Sequence, residues 1–468
     1  MPCEIYINYF AGQSVLIYIR DAPRTRRIFM KKRFFIIISL ILATLILFSA
    51  CVKAPSDEET ITDESTTSED NAPKDALLVN NINVTEYTIV FDGRASIGTD
   101  AAQKYFNSKI KQQYNIKLES KTSEVHGYQI FIGVKGSDTS ISAFFDSCED
   151  GMIGFDGKNI YILAKENIGL YSVIDAFFAK AAENGDYAEI NISQNEKVSV
   201  TKDNLKVMSY NVLYDMYYDD SGNLPRDMTA LAEFIKSQAP DVFGTQETLD
   251  EHKEAILEAM PNYECYTGIK LNLNMTNMIF WNADKYKCVS EGFQYLTDTP
   301  FVKSKIPESN SYRGFSYVVL ESLATHKQFM LVNVHLTYRN AAGETNDDNA
   351  RYKQVQYLNK FLEGNKCEGL PVILVGDFNS VPTSSTLKSV ENVKRFDRAA
   401  TVAKTKGDLG GTTTRAEHTI RDTYVFDHIF VTSDRISTEY FSVINADSKV
   451  NGRYLSDHLP VIADIVIC

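Results

Sequence analysis

The sequence has few cysteines, and their spacing excludes the usual zinc and redox motifs. The seven cysteines stand alone, at positions 3, 51, 148, 265, 288, 367 and 468. No two of them show the short Cys-x-x-Cys separation that structural zinc sites use. Because most of them fall in apolar or strand-like stretches, we expect buried thiols and infer no disulfide framework.

The chain is also short of basic residues. It carries 48 Lys and Arg against 61 Asp and Glu, which gives a formal net charge of −13 at pH 7. Without residues 1–50 the counts are 41 and 59, and the charge is −18. A chain this acidic is a poor general binder of polyanions. A local basic groove, or a metal ion that supplies positive charge, remains compatible with this composition.

A long apolar run near the N-terminus predicts export from the cytoplasm. Three basic residues at 31–33 precede apolar residues Phe34 to Phe48, and residues 30–51 have the form of a secretory signal. Its end, Ser49-Ala50-Cys51, resembles a bacterial lipobox, in which Cys51 would be lipidated and anchor the chain to the cell membrane. The alternatives are secretion or an uncleaved anchor, for which the run is marginal in length.

The rest of the chain divides into four segments. Residues 1–29 match no structural pattern, and we expect Met30 to be the true start. Residues 52–75 are acidic and rich in Ser and Thr, which predicts a disordered, extended tether. Residues 76–200 are typical of a small α/β accessory domain, with no evident catalytic constellation. Residues 205–468 alternate strand and helix patterns and contain the candidate chemistry.

The most informative stretch is Val372–Ser380, which reads VILVGDFNS. Four apolar residues between Pro371 and Gly376 predict a buried strand. Asp377 and Asn379 follow it two residues apart, so their side chains should point to the same side. A carboxylate beside an amide at the mouth of a sheet suits metal and phosphate chemistry. The alternative is a simple turn, which Asp and Asn also favour.

Five further stretches have the same form, an apolar strand accompanied by polar side chains. They carry Asn211 (LKVMSYN), Gln246 and Glu247 (DVFGTQE), Asn333 and His335 (FMLVNVH), Asp427 and His428 (YVFDHIFV, Tyr424–Val431), and Asp457 and His458 (SDHLP). An acid predicted inside an apolar strand, Asp427, is costly to bury without a partner, and His458 is available. His428 should point to the opposite face and is predicted to be structural, whereas His252, His326 and His418 are predicted to lie on the surface.

Taken in order, SYNV, TQE, NVHL, GDFNS, FDHIFV and SDHLPV resemble the endonuclease/exonuclease/phosphatase superfamily, which has the deoxyribonuclease I-like fold. The resemblance covers Leu205–Cys468. It implies a four-layer α/β sandwich, in which two mixed sheets pack face to face with helices outside. The active site would lie on the loops at one end of the sandwich.

The resemblance also implies a metal site. Glu247 would be the main ligand of a divalent cation, which Asn211 and Asp457 would help to position. Mg²⁺ prefers one or two carboxylates plus phosphate oxygens and water, so few protein ligands are expected. The expected ion is Mg²⁺, with Mn²⁺ as the alternative.

The remaining roles concern the phosphate ester and the attacking water. Asp377 would orient or deprotonate the water, and Asn379 would hold a phosphate oxygen. His458, oriented by Asp427, would act as an acid or base or stabilise charge. His335 would donate to the scissile phosphate or aid the leaving group. The identity of the base is left open.

Two more residues are candidates for the binding of substrate. Arg313 precedes the predicted strand Tyr317–Glu321, where members of the superfamily often have an arginine, and could contact phosphate. Many members carry a glutamate just before the strand that reads MIFW here (Met278–Trp281), but residues 274–277 contain no acid. Asn277 could replace that acid as the hydrogen-bond partner of His335.

These features predict an extracytoplasmic, metal-dependent phosphoesterase, either a phosphodiesterase, a phosphatase or a nuclease, which we expect to be a monomer. The substrate would be a nucleic acid, a phospholipid head group or a small phosphodiester. Basic residues that a nuclease would need near the site are sparse, and no clear apolar hairpin for membrane entry is seen. The alternative is a catalytically silent surface binding protein, but every expected core residue is present. No paired carboxylates support a glycan-processing enzyme.

Overall fold

The structure is a computed structural model that describes residues 6–9, 15–18, 76–94, 99–135, 148–185, 187–214, 217–219, 222–224, 227–345, 348–367, 369–393, 396–414, 423–445, 449–450 and 453–468. The signal-like run, Cys51, the tether 52–75 and His418 lie outside these residues. Within the described part of the chain, no helix is both long and apolar enough to span a membrane. The five described cysteines are free thiols, two of them buried and three half-buried.

The chain divides into two compact units, residues 1–71 and 72–468. In the first unit, strand β1 (Tyr6–Tyr9) pairs antiparallel with strand β2 (Val15–Tyr18). All of the following elements belong to the second unit.

Residues 76–200 form a small α/β arrangement, as the sequence predicts. Its strands are β3 (Leu77–Val79), β4 (Ile82–Asn83), β5 (Tyr87–Phe91), β6 (Ser120–Lys121), β7 (Tyr128–Val134), β8 (Gly151–Phe155), β9 (Ile160–Ala164), β10 (Ala182–Asn184), β11 (Tyr187–Ile190) and β12 (Glu196–Val198). Its helices are α1 (Thr99–Tyr114) and α2 (Gly169–Phe178). One sheet has the order β12-β8-β9-β7-β5-β6 and the other β10-β11-β3-β4. Phe106 on α1 packs against Phe177 and Phe178 on α2, with ring centroids 5.6 and 4.9 Å away.

Residues 203–468 form two larger sheets with helices on their outer faces. The strands are β13 (Asp203–Asn211), β14 (Tyr217–Asp219), β15 (Gly222–Leu224), β16 (Val242–Thr248), β17 (Tyr263–Tyr266), β18 (Thr276–Asn282), β19 (Tyr286–Tyr295), β20 (Gly314–Ser322), β21 (Gln328–His335), β22 (Val372–Asp377), β23 (Phe396–Arg398), β24 (Thr405–Lys406), β25 (Asp427–Thr432), β26 (Ile436–Val443), β27 (Lys449–Val450), β28 (Arg453–Tyr454) and β29 (Val461–Ile467). The helices are α3 (Met228–Gln238), α4 (Asp250–Ala259), α5 (Asn349–Leu362), α6 (Ser385–Glu391) and α7 (Ala399–Val402).

The two sheets pack face to face and confirm the predicted four-layer sandwich. The first sheet has the order β17-β18-β16-β13-β29-β26-β24 and the second β19-β20-β21-β22-β25-β23. Buried residues of both sheets share one core, in which Val207 and Val242 of the first lie with Leu331 and Val375 of the second. Helices α3 and α4 cover the outer face of the first sheet, and α5 and α6 cover that of the second. Strands covered on both faces read as continuous apolar runs, which explains VILV.

Buried hydrogen bonds between the two sheets account for the asparagine in the stretch FMLVNVH. Asn333 is fully buried, and its Nδ2 donates to the carbonyls of Thr245 and Met278 at 2.9 and 2.8 Å. Its Oδ1 accepts from Gln246 Nε2 at 2.7 Å. At Gly244 a Cβ atom would lie 2.7 Å from the side chain of Asn333, so only glycine allows this approach. Asn333 and Gln246 therefore join the sheets and do not form part of a reactive site.

The small N-terminal α/β arrangement contacts the sandwich at the turn between β25 and β26. Tyr171 donates from its hydroxyl to Asp434 Oδ2 at 2.6 Å. The guanidinium of Arg435 lies 4.2 Å from the ring centroid of Tyr171 and 5.0 Å from that of Tyr105. Asp427 stands at the opposite end of β25, which is six residues long. The small α/β arrangement therefore contacts the sandwich at the far end of the strand from this acid.

Candidate functional site

The predicted strand ends meet in one cleft at one end of the sandwich. The cleft has a volume of 530 Å³, and its lining residues all lie between Leu213 and His458. Seven of the ten predicted site residues of the catalytic region line it, namely Glu247, Arg313, His335, Asp377, Asn379, Asp457 and His458. Asn211 and Asp427 lie directly behind them, in hydrogen-bond contact with Asp377 and His458 respectively.

Strand register accounts for three of these positions. The parallel pairing of β21 and β22 sets His335 beside Asp377, and the antiparallel pairing of β22 and β25 sets Asp377 beside Asp427. A row of three polar side chains thus crosses the end of the second sheet. Gly376 precedes Asp377 because a Cβ atom there would clash with the carbonyl oxygen of Val334.

Asp427 and His458 form a buried ion pair. His458 Nδ1 lies 2.8 Å from Asp427 Oδ2, and neither residue is more than 8% exposed. Burial alone would lower the pKa of His458, but the carboxylates of Asp427 and Asp377 outweigh it and raise the pKa well above its ordinary value. His458 is therefore held as an imidazolium. Its free Nε2 lies 3.7 Å from Asp377 Oδ2 and faces the cleft.

The sequence prediction for Asp427 was wrong in one respect. We expected an acid inside a strand that spans Tyr424–Val431, but β25 begins at Asp427. The preceding residues bond elsewhere, since Tyr424 O accepts from Thr412 N, and Phe426 N and Asp427 N both donate to Thr412 Oγ1. The partner of Asp427 is His458, as predicted.

The carboxylate of Asp377 is buried and is surrounded by hydrogen-bond donors. Its Oδ2 lies 3.0 Å from Asn211 Nδ2 and 3.4 Å from His335 Nε2, and its Oδ1 accepts from the backbone N–H of Asn379 at 2.8 Å. Burial raises the pKa of Asp377 to about 7, where the positive charge of His458 opposes and the negative charge of Asp427 reinforces the effect. A carboxylate of this kind is able to exchange a proton near neutral pH.

Glu247 and Asp457 are two acids in the same part of the cleft. Burial raises the pKa of Glu247, and the charge of Asp457 raises it further. Glu247 has a backbone φ of +58° at a β-bulge in β16, a conformation that a non-glycine residue adopts at a cost of about 1–3 kcal/mol. Its Oε2 accepts from the backbone N–H of Tyr214 at 3.3 Å. The bulge turns this carboxylate into the cleft.

The side-chain amide of Asn211 lies between the carboxylates of Glu247 and Asp377. Its Nδ2 lies 3.3 Å from Glu247 Oε1 and 3.0 Å from Asp377 Oδ2, and its Oδ1 accepts from Leu213 N at 3.0 Å. Ser456 fixes the backbone by donating to the carbonyl of Asn211 at 2.7 Å. In this arrangement the amide bridges the two carboxylates, and direct metal ligation by Asn211 stays a prediction.

His335 is paired with Arg313, and the predicted pairing with Asn277 was wrong. Asn277 Nδ2 donates to the carbonyl of Gly314 at 2.8 Å. Arg313 Nη1 lies 3.3 Å from His335 Nδ1. A guanidinium only donates, so Nδ1 accepts and the ring proton is on Nε2, which points towards Asp377. Burial lowers the pKa of His335 well below its ordinary value, and the positive charges of Arg313 and His458 add to this.

Asn379 and Arg313 differ in how well their polar atoms are satisfied. Asn379, with a φ of +49°, donates from Nδ2 to the carbonyl of Leu336 at 3.1 Å and lies 3.4 Å from Asp377 Oδ2. Arg313 Nε is buried without a hydrogen-bond partner among the described residues. The arrangement thus holds Asn379 in place and leaves Arg313 with a donor to offer.

The acids of the cleft fit a divalent cation near Glu247 and Asp457. Asp457 Oδ1 is buried and has no partner in the described part of the chain, and its charge repels that of Glu247. A denser cluster is formed by Asp377, Asp427 and His458, whose ligand atoms lie within 4.8 Å of one another. There, however, Asp427 Oδ2 and His458 Nδ1 already bond to each other at 2.8 Å, and Asp427, whose Oδ1 also has no partner among the described residues, does not line the cleft. Glu247 and Asp457 do line it and are therefore the better candidates as ligands.

Comparison with known proteins decides the family. The sequence model described as "Endonuclease/Exonuclease/phosphatase family" matches residues 208–458, more than half of the chain. The chain belongs to this family. Its members are phosphoesterases and hydrolases that generally use a divalent metal. No curated protein matches the chain.

One solved structure agrees with this assignment of the fold. An endonuclease/exonuclease/phosphatase protein from Bacteroides vulgatus is 22% identical with a TM-score of 0.50, and the match covers 57% of this chain and 100% of that one. A family protein from Bacteroides thetaiotaomicron is also 22% identical, with a TM-score of 0.49 over 57% and 99% of the two chains. A mannosyl-6-phosphatase from the same species is 24% identical, with a TM-score of 0.49 over 56% and 99%.

The structure places the segment Thr412–Thr414 at the site, although none of the family motifs includes it. Thr414 N donates to Asp457 O, and Leu459 N donates to Thr412 O, both at 2.7 Å. Because Thr412 Oγ1 also accepts from Asp427 N at 3.1 Å, this segment connects both halves of the Asp427–His458 pair. The only sequence signal is a run of three threonines after two glycines, which resembles an ordinary turn.

The other histidines divide into buried and exposed positions. His428 is buried and structural, as predicted, since its Nε2 lies 3.0 Å from the carbonyl of Ser380 and its ring packs against Phe378 and Phe430. His326 is exposed. The prediction for His252 was wrong, because this residue is fully buried and accepts the backbone N–H of Leu249 at the start of α4.

The buried His428 should make stability depend on pH. Burial lowers its pKa from 6.5 to about 3, so between these values the unfolded chain binds one more proton than the native chain. The free energy of unfolding then falls as pH falls, by up to about 1.4 kcal/mol per pH unit from this group. In His428→Gln, urea unfolding at pH 4, 5 and 6 should show a slope smaller by up to that amount. Equal slopes for the variant and the wild type would contradict the prediction.

Proposed function

We propose that the chain is a divalent-metal-dependent phosphoesterase that hydrolyses a phosphate diester or monoester outside the cytoplasm. The observation that supports this most directly is the pairing of an imidazolium, His458, with a buried acid, Asp377, at the wall of a cleft. The two groups lie 3.7 Å apart and can serve as donor and base. Glu247, Asp457 and Arg313 line the same cleft.

Asp377 is the proposed base for the attacking water. Its pKa of about 7 is suited to taking a proton at neutral pH, and Asn211 Nδ2 fixes the orientation of its Oδ2. His458 Nε2–H would donate to a phosphate oxygen as negative charge develops there. Donors fixed in advance at such a position usually provide the largest share of catalysis.

Arg313 is the proposed anchor for the phosphate group. Its guanidinium is buried at 8% exposure, and its Nε has no partner among the described residues. A phosphate oxygen would supply the missing acceptor, and hydrogen bonds between such charged groups are the stronger ones. The neutral His335 would donate from Nε2 to the same phosphate group. Contact between Asn379 and phosphate stays a prediction.

Glu247 and Asp457 would hold the metal ion, with Mg²⁺ expected and Mn²⁺ as the alternative. Asn211 would keep the carboxylate of Glu247 in place through Nδ2. When bound, the ion would supply positive charge that polarises the phosphate group.

The location outside the cytoplasm is supported by residues 30–51 and by the lipobox-like end at Cys51. In a bacterial host the full chain should partition into the membrane fraction, and Cys51→Ser should remove the lipid while leaving activity unchanged. Mass spectrometry of the mature N-terminus decides between a lipid-modified Cys51, a secreted chain and an uncleaved anchor.

The test of the enzyme proposal uses the purified full chain and a panel of esters. The panel contains bis-p-nitrophenyl phosphate, p-nitrophenyl phosphate, plasmid DNA, RNA, sphingomyelin and inositol phosphates, each with Mg²⁺, Mn²⁺ or EDTA. We expect hydrolysis of at least one member that EDTA abolishes. A folded protein that neither binds metal nor cleaves any ester would favour the catalytically silent binding protein.

A further inference from the structure

Thr413 carries a hydroxyl in the cleft that no interaction within the described chain accounts for. The side chain is 6% exposed, it lines the cleft, and its Oγ1 is buried without a hydrogen-bond partner among the described residues. Leaving a buried hydroxyl unpaired is costly, so such a group is uncommon unless something else satisfies it. The two residues beside it are satisfied, because Thr412 Oγ1 accepts two backbone N–H groups and Thr414 Oγ1 lies 3.5 Å from Ser456 O.

The backbone pairing determines what lies next to this hydroxyl. Thr413 forms an antiparallel bridge with His458. Directly opposed residues of such a bridge point to the same face, with Cβ atoms about 4.5–5.5 Å apart. The flanking bonds, from Thr414 N to Asp457 O and from Leu459 N to Thr412 O, both at 2.7 Å, hold this register. The hydroxyl is therefore kept beside the side chain of His458, which also lines the cleft.

Two further orphaned atoms line the same cleft and share this feature. Arg313 Nε and Asp457 Oδ1 are also buried without partners in the described part of the chain. A phosphate group and a cation would satisfy these two. The third orphan, on Thr413, is a hydroxyl donor beside the ring of His458, and an anion that accepts from His458 Nε2 would lie within its reach.

We propose that Thr413 is a substrate-binding residue, whose hydroxyl donates to an oxygen of the phosphate group that His458 also contacts. This role rests on the phosphoesterase function proposed above. The backbone bonds of its neighbours Thr412 and Thr414 hold the segment in register with His458, so the same segment contributes both orientation and recognition. The contact is to the phosphate group itself, so it should be made with esters of any alcohol.

The test compares a substitution that removes the hydroxyl with one that keeps it. Thr413→Val keeps the branched shape and removes the donor, whereas Thr413→Ser keeps the donor. The matched control is Thr438→Val, because Thr438 Oγ1 is also buried and unpartnered but lies on β26, away from the cleft. Thermal unfolding of each variant checks that the fold is retained.

For Thr413→Val we expect KM to rise about tenfold or more with little change in kcat, as for the loss of a hydrogen bond to a charged group. The affinity for inorganic phosphate, measured by titration calorimetry, should fall by the same factor. Thr413→Ser should restore both values, and Thr438→Val should match the wild type. Unchanged KM and phosphate affinity in a folded Thr413→Val, or equal losses in Thr438→Val, would overturn the proposal.

Phosphate binding separates this proposal from the one on which it rests. If the wild type cleaves no ester but Thr413→Val still weakens phosphate binding, the anion site stands and the enzyme function fails. If the wild type is active and Thr413→Val equals it in both measurements, the enzyme function stands and the role of Thr413 fails.

Discussion

Replacing His458 by asparagine is expected to lower kcat by about 10³-fold, the middle of the range for a general acid or base. The substitution removes the imidazolium that faces Asp377. It preserves the fold, because an asparagine amide can occupy the position of Nδ1 and still donate to Asp427, which is fully buried. Initial rates with the best ester of the panel, together with the melting temperature, measure both effects. His326→Asn is the matched control, since that histidine is exposed.

The partner of His458 permits a double-mutant cycle. Asp427→Asn should lower kcat by about 10²-fold, because the imidazolium loses the carboxylate that orients it and sustains its charge. Groups that act as a unit give non-additive losses, so the double variant should be no slower than His458→Asn alone. If the two losses multiply, Asp427 and His458 act separately and the pair has been misassigned.

Replacing Glu247 by glutamine is expected to weaken the binding of Mg²⁺ and to lower kcat/KM by about 10³-fold, as expected for the loss of several kcal/mol of charge stabilisation. Titration calorimetry with Mg²⁺ and Mn²⁺, followed by initial rates, provides the measurement. Glu254→Gln, at an exposed position of α4, is the control and should behave like the wild type.

The same substitution should affect stability in opposite directions with and without metal. Burial and the charge of Asp457 raise the pKa of Glu247, so its ionised form destabilises the metal-free protein at pH 7. In EDTA the melting temperature of Glu247→Gln should therefore exceed that of the wild type. In Mg²⁺ the melting temperature of the wild type should rise more than that of Glu247→Gln, so that the wild type becomes the more stable of the two.

Titration of Glu247→Gln and Asp427→Asn with Mg²⁺ decides between the two candidate metal sites. If Glu247→Gln binds Mg²⁺ as the wild type does, and Asp427→Asn does not, the ion belongs to the cluster of Asp377, Asp427 and His458. The ion pair between Asp427 and His458 argues against that outcome.

Much of the sandwich could be predicted because its strands are covered on both faces. The apolar run Val372–Val375 was predicted as a buried strand, and it lies within β22, which begins at the same residue. The prediction of the strand Tyr424–Val431 was less accurate, because β25 begins only at Asp427 and Tyr424 and Phe426 bond to Thr412 instead. Apolar periodicity reports burial of side chains, whereas the beginning of a strand depends on backbone partners that lie far away in the sequence.

The sequence by itself determined which chemical groups reach one end of the fold. Side chains at the ends of buried strands must emerge at a sheet edge, and acids such as Asp377 there require partners. Only the tertiary structure decided which groups meet. It paired His335 with Arg313 and not with Asn277, and it brought Thr413 beside His458 across 45 residues of chain. These contacts depend on the register between distant segments and on loop geometry, and neither of these leaves a periodic signal in the sequence.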